Sequence, residues 1–298
     1  MDIRLLGSVE ICDGGQPVPL PRAGERCVLA SLALDPGRRI HVDTLVDRLW
    51  GSDPPANAAG TVASYLRTVR RAIEHAGGRR DWLVSHRPAA YQLDIDPGLV
   101  DYHRFNALVA QAGRERRDGR PAESVARYRE AVRLRSAEAL GNLTGQWAAN
   151  RRYTIEQEYL DAVCAMYEGQ LALGEYAAVA GHATRLVLDV IPTDRMIALA
   201  VHGLARSGRH TTIPGFLARA TQRMWETAQV RPSPQVIALG RRLVENPGAR
   251  VPPPRLQPDQ LDEAGDGDAS PASGRVTMIA QGSQQVVQAG RDQYITNG

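Results

Sequence analysis

Six arginines stand between residues 56 and 93, at positions 67, 70, 71, 79, 80 and 87, against only Glu74 and Asp81, a local excess of four positive charges. Guanidinium forks pair with phosphates and read guanine edges, and small hydroxyls reach either, so these side chains suit a nucleic acid. Spacing sharpens this. On a helical wheel Val62, Leu66, Val69 and Ile73 fall within about 60° of one another, an apolar stripe that needs a core. Nearly opposite lie Gly60, Ser64, Arg67 and Arg71, with Thr61 and Thr68 on one flank and Arg70 on the other. Such a face fits a DNA major groove. It also fits the solvated side of an ordinary surface helix.

No catalytic constellation competes with this reading. The seven histidines (41, 75, 86, 103, 182, 202 and 210) form no HExxH or i,i+4 pair, and neither G-x-S-x-G nor G-x-G-x-x-G occurs. Every cation is arginine, so the lysine of a P-loop, a Schiff base or a Ser–Lys dyad is missing. Glu156 and Glu158 do not share a helix face and are expected to meet solvent. Cys12, Cys27 and Cys164 lack metal or disulfide spacing, which points to buried, inert thiols in a reducing cytoplasm. The expectation is a protein that is not an enzyme and uses no cofactor or metal. With no run near the roughly 18 apolar residues of a membrane span, a soluble, nucleoid-associated protein is expected, with no membrane partner.

The elements that must position the arginines follow from the chain in order. Ile3–Leu6, Val9–Ile11 and a piece around Val18 are short extended runs, and Asp13-Gly14-Gly15 is a hairpin turn signal, so a small antiparallel sheet is predicted. Residues 23–34 read as a first helix ending at Pro36-Gly37. Ile40–Val42 reads as an extended link, and Asp43 as the N-cap of a second helix ending at Gly51. Asn57 can cap the long third helix, which Gly77-Gly78 terminates. Trp82–Ser85 and Tyr91–Leu93 form a hairpin with its tip at 86–90. Sheet, three helices and hairpin make a helix-turn-helix extended by a wing. On that fold Ser64, Arg67 and Thr68 are expected near base edges. Thr61, Arg70, Arg71, Arg79 and Arg80 are expected at phosphates, and Arg87 with His86 in or beside a minor groove. Arg22 and Arg26 fit either a phosphate or open solvent, whereas Trp50, Tyr65 and Tyr91 read as core.

At this point the chain resembles the actinobacterial (Streptomyces-type) antibiotic regulatory protein family in its small form. The matching stretches are IRLLGSVEI at the start, VDTLVDRLWGSDPPANAAGT, SYLRTVRRAI, LVSHRPAAYQL and VDYHRFNALV, followed later by LALGEY and by SGR with PSPQVIAL. The resemblance implies a winged-helix DNA-binding domain of the two-component output type joined to a bacterial transcriptional activation domain. It further implies an activator of an antibiotic cluster that binds direct repeats in double-stranded DNA as a homodimer near a −35 element. The loop formed by Gly51, Ser52, Asp53, Pro54, Pro55 and Asn57 would, on this resemblance, touch RNA polymerase holoenzyme through its sigma factor and alpha C-terminal domain. The chain departs from the family at Arg67 and Thr68, where Ser and Arg are usual, and at Ala90, where the wing usually has Gly. The family's base preference is therefore not carried over.

Beyond the wing the pattern turns helical, with segments at 99–117, 122–134, 155–173, 176–190, 195–207, 214–228 and 235–244. Glycine turns at Gly174 and Gly208 lie 34 residues apart, the tetratricopeptide period, while Gly119 lies 55 before Gly174, so an insertion of about 21 residues is placed around 136–154. Expected boundaries are 1–97 for an α+β winged helix-turn-helix, 98–246 for an all-α tetratricopeptide-like domain, 247–274 for a flexible linker, and 275–298 for a tail that is short β or disordered. The competing functional reading is a helical-repeat interaction module whose winged helix has lost its DNA contact.

Overall fold

The computed structural model describes residues 1–190 and 192–246, so the expected linker and tail lie outside the described residues. β1 (Asp2–Arg4), β2 (Glu10–Asp13) and β3 (Gln16–Val18) form an antiparallel meander. Asp13 pairs with Gln16 across Gly14-Gly15, both at positive φ, which is the backbone a two-residue hairpin needs. α1 (Ala23–Ala33), β4 (Ile40–His41), α2 (Val42–Trp50) and α3 (Ala58–His75) follow, then the wing strands β5 (Leu83–His86) and β6 (Ala90–Leu93). Val62, Leu66, Val69 and Ile73 all face the core, as their spacing predicts. α3 ends in a Schellman lock. Gly77 sits at φ +79°, its N–H donates to Glu74 and that of Gly78 donates to the Ile73 carbonyl.

Two local expectations are corrected. Ile40–His41 is not a bare link: it pairs with Tyr91 and Ala90, so β6 is the centre of a β4-β6-β5 sheet. That pairing holds His41 extended until Val42 starts the helix, which makes His41, not Asp43, the N-cap. Asp43 lies in the first turn instead, where its charge still suits the helix dipole. Asn57 does occupy the cap position of α3, without a side-chain capping bond.

Seven further helices stack: α4 (Asp101–Arg117), α5 (Pro121–Arg133), α6 (Gln146–Ala172), α7 (Tyr176–Asp189), α8 (Asp194–Arg206), α9 (Ile213–Ala228) and α10 (Pro234–Glu245). The turns at Gly119, Gly174 and Gly208 repeat the lock seen at Gly77, each glycine having positive φ and the next residue donating five residues back. α6 begins nine residues earlier than the expected 155, because Gln146–Thr154 is already helical. Arg152, in that extension, donates to the carbonyls of Ala139, Leu140 and Leu143 and so folds the preceding loop onto its own helix. Glu156 and Glu158 do not face solvent freely. The first accepts from the Ala139 amide and pairs with Arg135, and the second accepts from the Tyr102 hydroxyl at 2.9 Å.

The segment after β1 is clasped from two sides by the helical part. The buried Asp101 carboxylate, at the start of α4, accepts the amides of Leu5 at 2.7 Å and Leu6 at 3.1 Å. On the other side Ser136, Leu140 and Gly141 donate to the carbonyls of Leu6, Leu5 and Gly7. Asn142 accepts from the Val9 amide and donates to its carbonyl. Gly7 leaves room for the Ser136 contact, since a Cβ would stand 2.3 Å from Ser136 Oγ and turn that hydroxyl aside. Burial pushes the Asp101 carboxyl up to about 6, against the lowering pull of the amides it accepts. Arg26 joins the same seam, donating to the Leu20 and Pro21 carbonyls and reaching the Asn142 carbonyl at 3.5 Å. It is a structural cation, whereas the sequence left it open to phosphate or solvent.

Candidate nucleic-acid interface

α3 lies against α1 and α2 through its apolar stripe, and this fixes which side chains it turns outward. Gly24 of α1 permits the close approach, because a Cβ there would meet the Tyr65 ring at 2.4 Å. Arg67 and Arg71, one helical turn apart, are exposed, and neither makes a hydrogen bond or ion pair within the described residues. Ser64 lies one further turn back, half-buried, on the same face. Thr61 and Thr68 are half-buried and bond back to the carbonyls of Asn57 and Ser64 at 3.0 and 3.5 Å. Their hydroxyls are thus partly occupied by the helix itself.

Arg70 differs from its neighbour Arg71. It leans across to the wing, where Nη2 donates to the Leu83 carbonyl at 2.8 Å and to Ser85 Oγ at 3.3 Å. It braces the hairpin against the helix. Arg79 chelates Asp81, which draws that carboxyl below its usual range, and Arg80 approaches Glu74 at 3.6 Å. Both pairs are exposed, so they hold their arginines weakly and a phosphate can compete for them. At the wing tip Arg87 is exposed without a partner within the described residues, whereas His86 Nε2 is 2.9 Å from Gln92 Oε1 and half-buried.

Arg67, Arg71 and Arg87 are therefore free cations displayed by two rigid elements, a helix and an adjoining hairpin. Positive charge with no internal counter-ion attracts a polyanion, and a protruding helix has the width of a major groove. The loop Gly51–Asn57 between α2 and α3 is exposed throughout, with Gly51 at φ +60°. Trp50, Tyr65 and Tyr91 pack against the core. The sequence reading missed the bracing role of Arg70 and the seam formed by Asp101, Asn142 and Arg26. Arginine type alone does not distinguish 70 from 71. The wheel sets Arg70 on a flank, and the position of the wing gives it its partner. Among the described residues no group of His, Cys, Asp and Glu could hold a metal ion, and no helix is long and apolar enough to cross a membrane.

Residues 15–93 match the family described as transcriptional regulatory protein, C terminal, and residues 100–243 match the bacterial transcriptional activator domain. The chain is 30% identical over 216 residues to the regulatory protein DnrI of Streptomyces peucetius, covering 70% of this chain and 79% of that protein. It is 29% identical over 265 residues to the transcriptional regulator RedD of Streptomyces coelicolor, covering 85% and 73%. To the regulatory protein AfsR of Streptomyces griseus it is 25% identical over 80% of its length while spanning only 24% of AfsR. The structure of Mycobacterium tuberculosis EmbR in complex with a low affinity phosphopeptide has the same fold, with a TM-score of 0.73 at 24% identity over 82% of this chain and 65% of that one.

Proposed function

This chain belongs to the actinobacterial antibiotic regulatory protein family, and from that premise we propose that it is a sequence-specific DNA-binding activator of a secondary-metabolite biosynthetic cluster. The observation that carries the reading is the pair of unpartnered, exposed arginines, Arg67 and Arg71, on the outer face of α3. Arg67 and Ser64 reach base edges, Arg71 with Thr61, Arg79 and Arg80 meets phosphates, and Arg87 enters the neighbouring minor groove. Thr68 lies beside the bases, and His86 steadies the wing tip from its bond to Gln92. Arg70 contributes by holding the wing in place.

Two protomers occupy direct repeats about one helical turn apart, so that both reading helices meet the same side of the duplex. The Gly51–Asn57 loop, next to the reading helix, is then turned toward the polymerase holoenzyme and contacts its sigma factor and alpha C-terminal domain. The chain acts without cofactor in the cytoplasm, at the nucleoid. Footprinting on the promoter of the adjoining biosynthetic genes tests the assignment. Arg67→Ala is expected to relax base preference at one position, and Arg71→Ala to reduce the dependence of binding on log salt by about one. If both substitutions leave the footprint and its salt slope unaltered, α3 is not the reading helix, and the helical-repeat interaction module becomes the better reading. A loop swap at 51–57 that preserves DNA binding yet leaves transcription at full level would remove the loop from activation.

A further inference from the structure

Between α9 and α10 lies a half-open cleft of about 380 Å³, within the range of roughly 300–1,000 Å³ seen for small-molecule sites. Leu217 and Ile237 supply apolar walls, and Thr221, Arg241 and Glu245 are its polar lining. Gly240 lets Leu217 pack close: a Cβ there would stand 2.4 Å from Leu217 Cδ1, so a larger residue would displace that wall of the cleft. Arg241 is exposed and has neither hydrogen bond nor ion pair within the described residues, including with Glu245, one turn on in the same lining. Residues 213–246 hold five arginines (219, 223, 231, 241 and 242) against Glu226 and Glu245, a net of +3, and of these arginines Arg241 is the one that lines the cleft.

We infer that this cleft binds a small apolar molecule carrying a single anionic head, with its hydrocarbon body against Leu217 and Ile237 and its head at Arg241. Mostly apolar walls with a few polar groups fix orientation as well as class. The site shares no residue with the DNA-facing surface, so occupancy adds a second, independent binding function to the helical part.

The test titrates the full chain with 1-anilinonaphthalene-8-sulfonate and, in parallel, with N-phenyl-1-naphthylamine, which keeps the rings and lacks the sulfonate. Saturable binding of one sulfonate per chain is expected. Arg241→Gln should weaken the sulfonate about tenfold while leaving the neutral probe unchanged, the size expected of one charge-assisted contact. Ala218→Trp, at an exposed rim position that spares the core, should abolish both, with circular dichroism confirming the fold. The inference is overturned if no saturable binding occurs, if Ala218→Trp binds like the unaltered chain, or if Arg241→Gln weakens both probes alike. It is equally overturned if binding falls as protein concentration rises, which would assign the cleft to a second copy. Binding that emerges only after Asp259→Asn, Asp262→Asn and Glu263→Gln would assign it to the chain's own acidic segment.

Discussion

Replacing Asp101 with asparagine should erase one pH-dependent component of stability. The carboxylate is buried, accepts two amides from the segment after β1, and has no cation in contact, since Arg104 pairs instead with Asp2. Burial raises its pKa from the ordinary 3.8 to about 6. The folded chain therefore holds this proton more tightly than the unfolded chain does. Stability contributed by the group increases as pH falls through 6 and levels off below 3.8, the reverse of a salt-bridged carboxylate. With those two pKa values the gain between pH 7 and pH 5 is about 1.3 kcal/mol. Asparagine cannot take up the proton, so it loses this gain whatever its effect on stability at pH 7. Urea unfolding of both proteins at the two pH values isolates the difference, because histidines and other carboxylates titrate alike in each. Parallel pH dependence in the two proteins would refute a buried, ionisable clasp at this position.

Arg70→Ala should destabilise the chain by about 1–2 kcal/mol through the lost wing contacts, yet leave the salt slope of DNA binding unchanged. A slope reduced by about one, as expected for Arg71→Ala, would show that Arg70 meets phosphate after all. Gly77→Ala forces a Cβ into φ +79° at the end of α3 and should cost about 1 kcal/mol, read as a lower urea midpoint; an unchanged midpoint would mean that the Schellman lock is dispensable. Burial pushes the thiols of Cys27 and Cys164 up to about 11 and about 12. Both should ignore a thiol reagent in the native chain at pH 8 and react once it is unfolded, and rapid native modification of either would contradict their placement.

What the sequence reveals here is mostly what local periodicity encodes. The stripe from Val62 to Ile73, the hairpin at Gly14-Gly15 and the helix stops at Gly77, Gly119, Gly174 and Gly208 each follow from a single short-range rule. The features that escaped are those decided by a distant neighbour. Gln146–Thr154 offers no continuous apolar stripe, since Ala149 and Tyr153 are exposed, and its Arg152 finds three carbonyls in the preceding loop. Asp101 looks like any acid at a helix start, and its second role exists only because the backbone after β1 passes above it. Arg70 and Arg71 are chemically identical neighbours, one turned toward β5 and the other outward. The set of candidate DNA contacts was thus legible as a face, while the division of labour within it required the wing to be placed.

The clasp around the segment after β1 also bears on how such chains can be cut and recombined. A fragment ending before Asp101 would strand the amides of Leu5 and Leu6 and the carbonyls that Ser136, Leu140 and Gly141 now satisfy. Unpaired buried groups of that kind are expensive, so the segment after β1 is completed only by residues some 95 to 135 positions downstream. The N-terminal part is consequently not a detachable cassette in this architecture. A chimera that exchanged the N-terminal part of this chain would have to keep the contacts that Asp101 and residues 136–142 make with it.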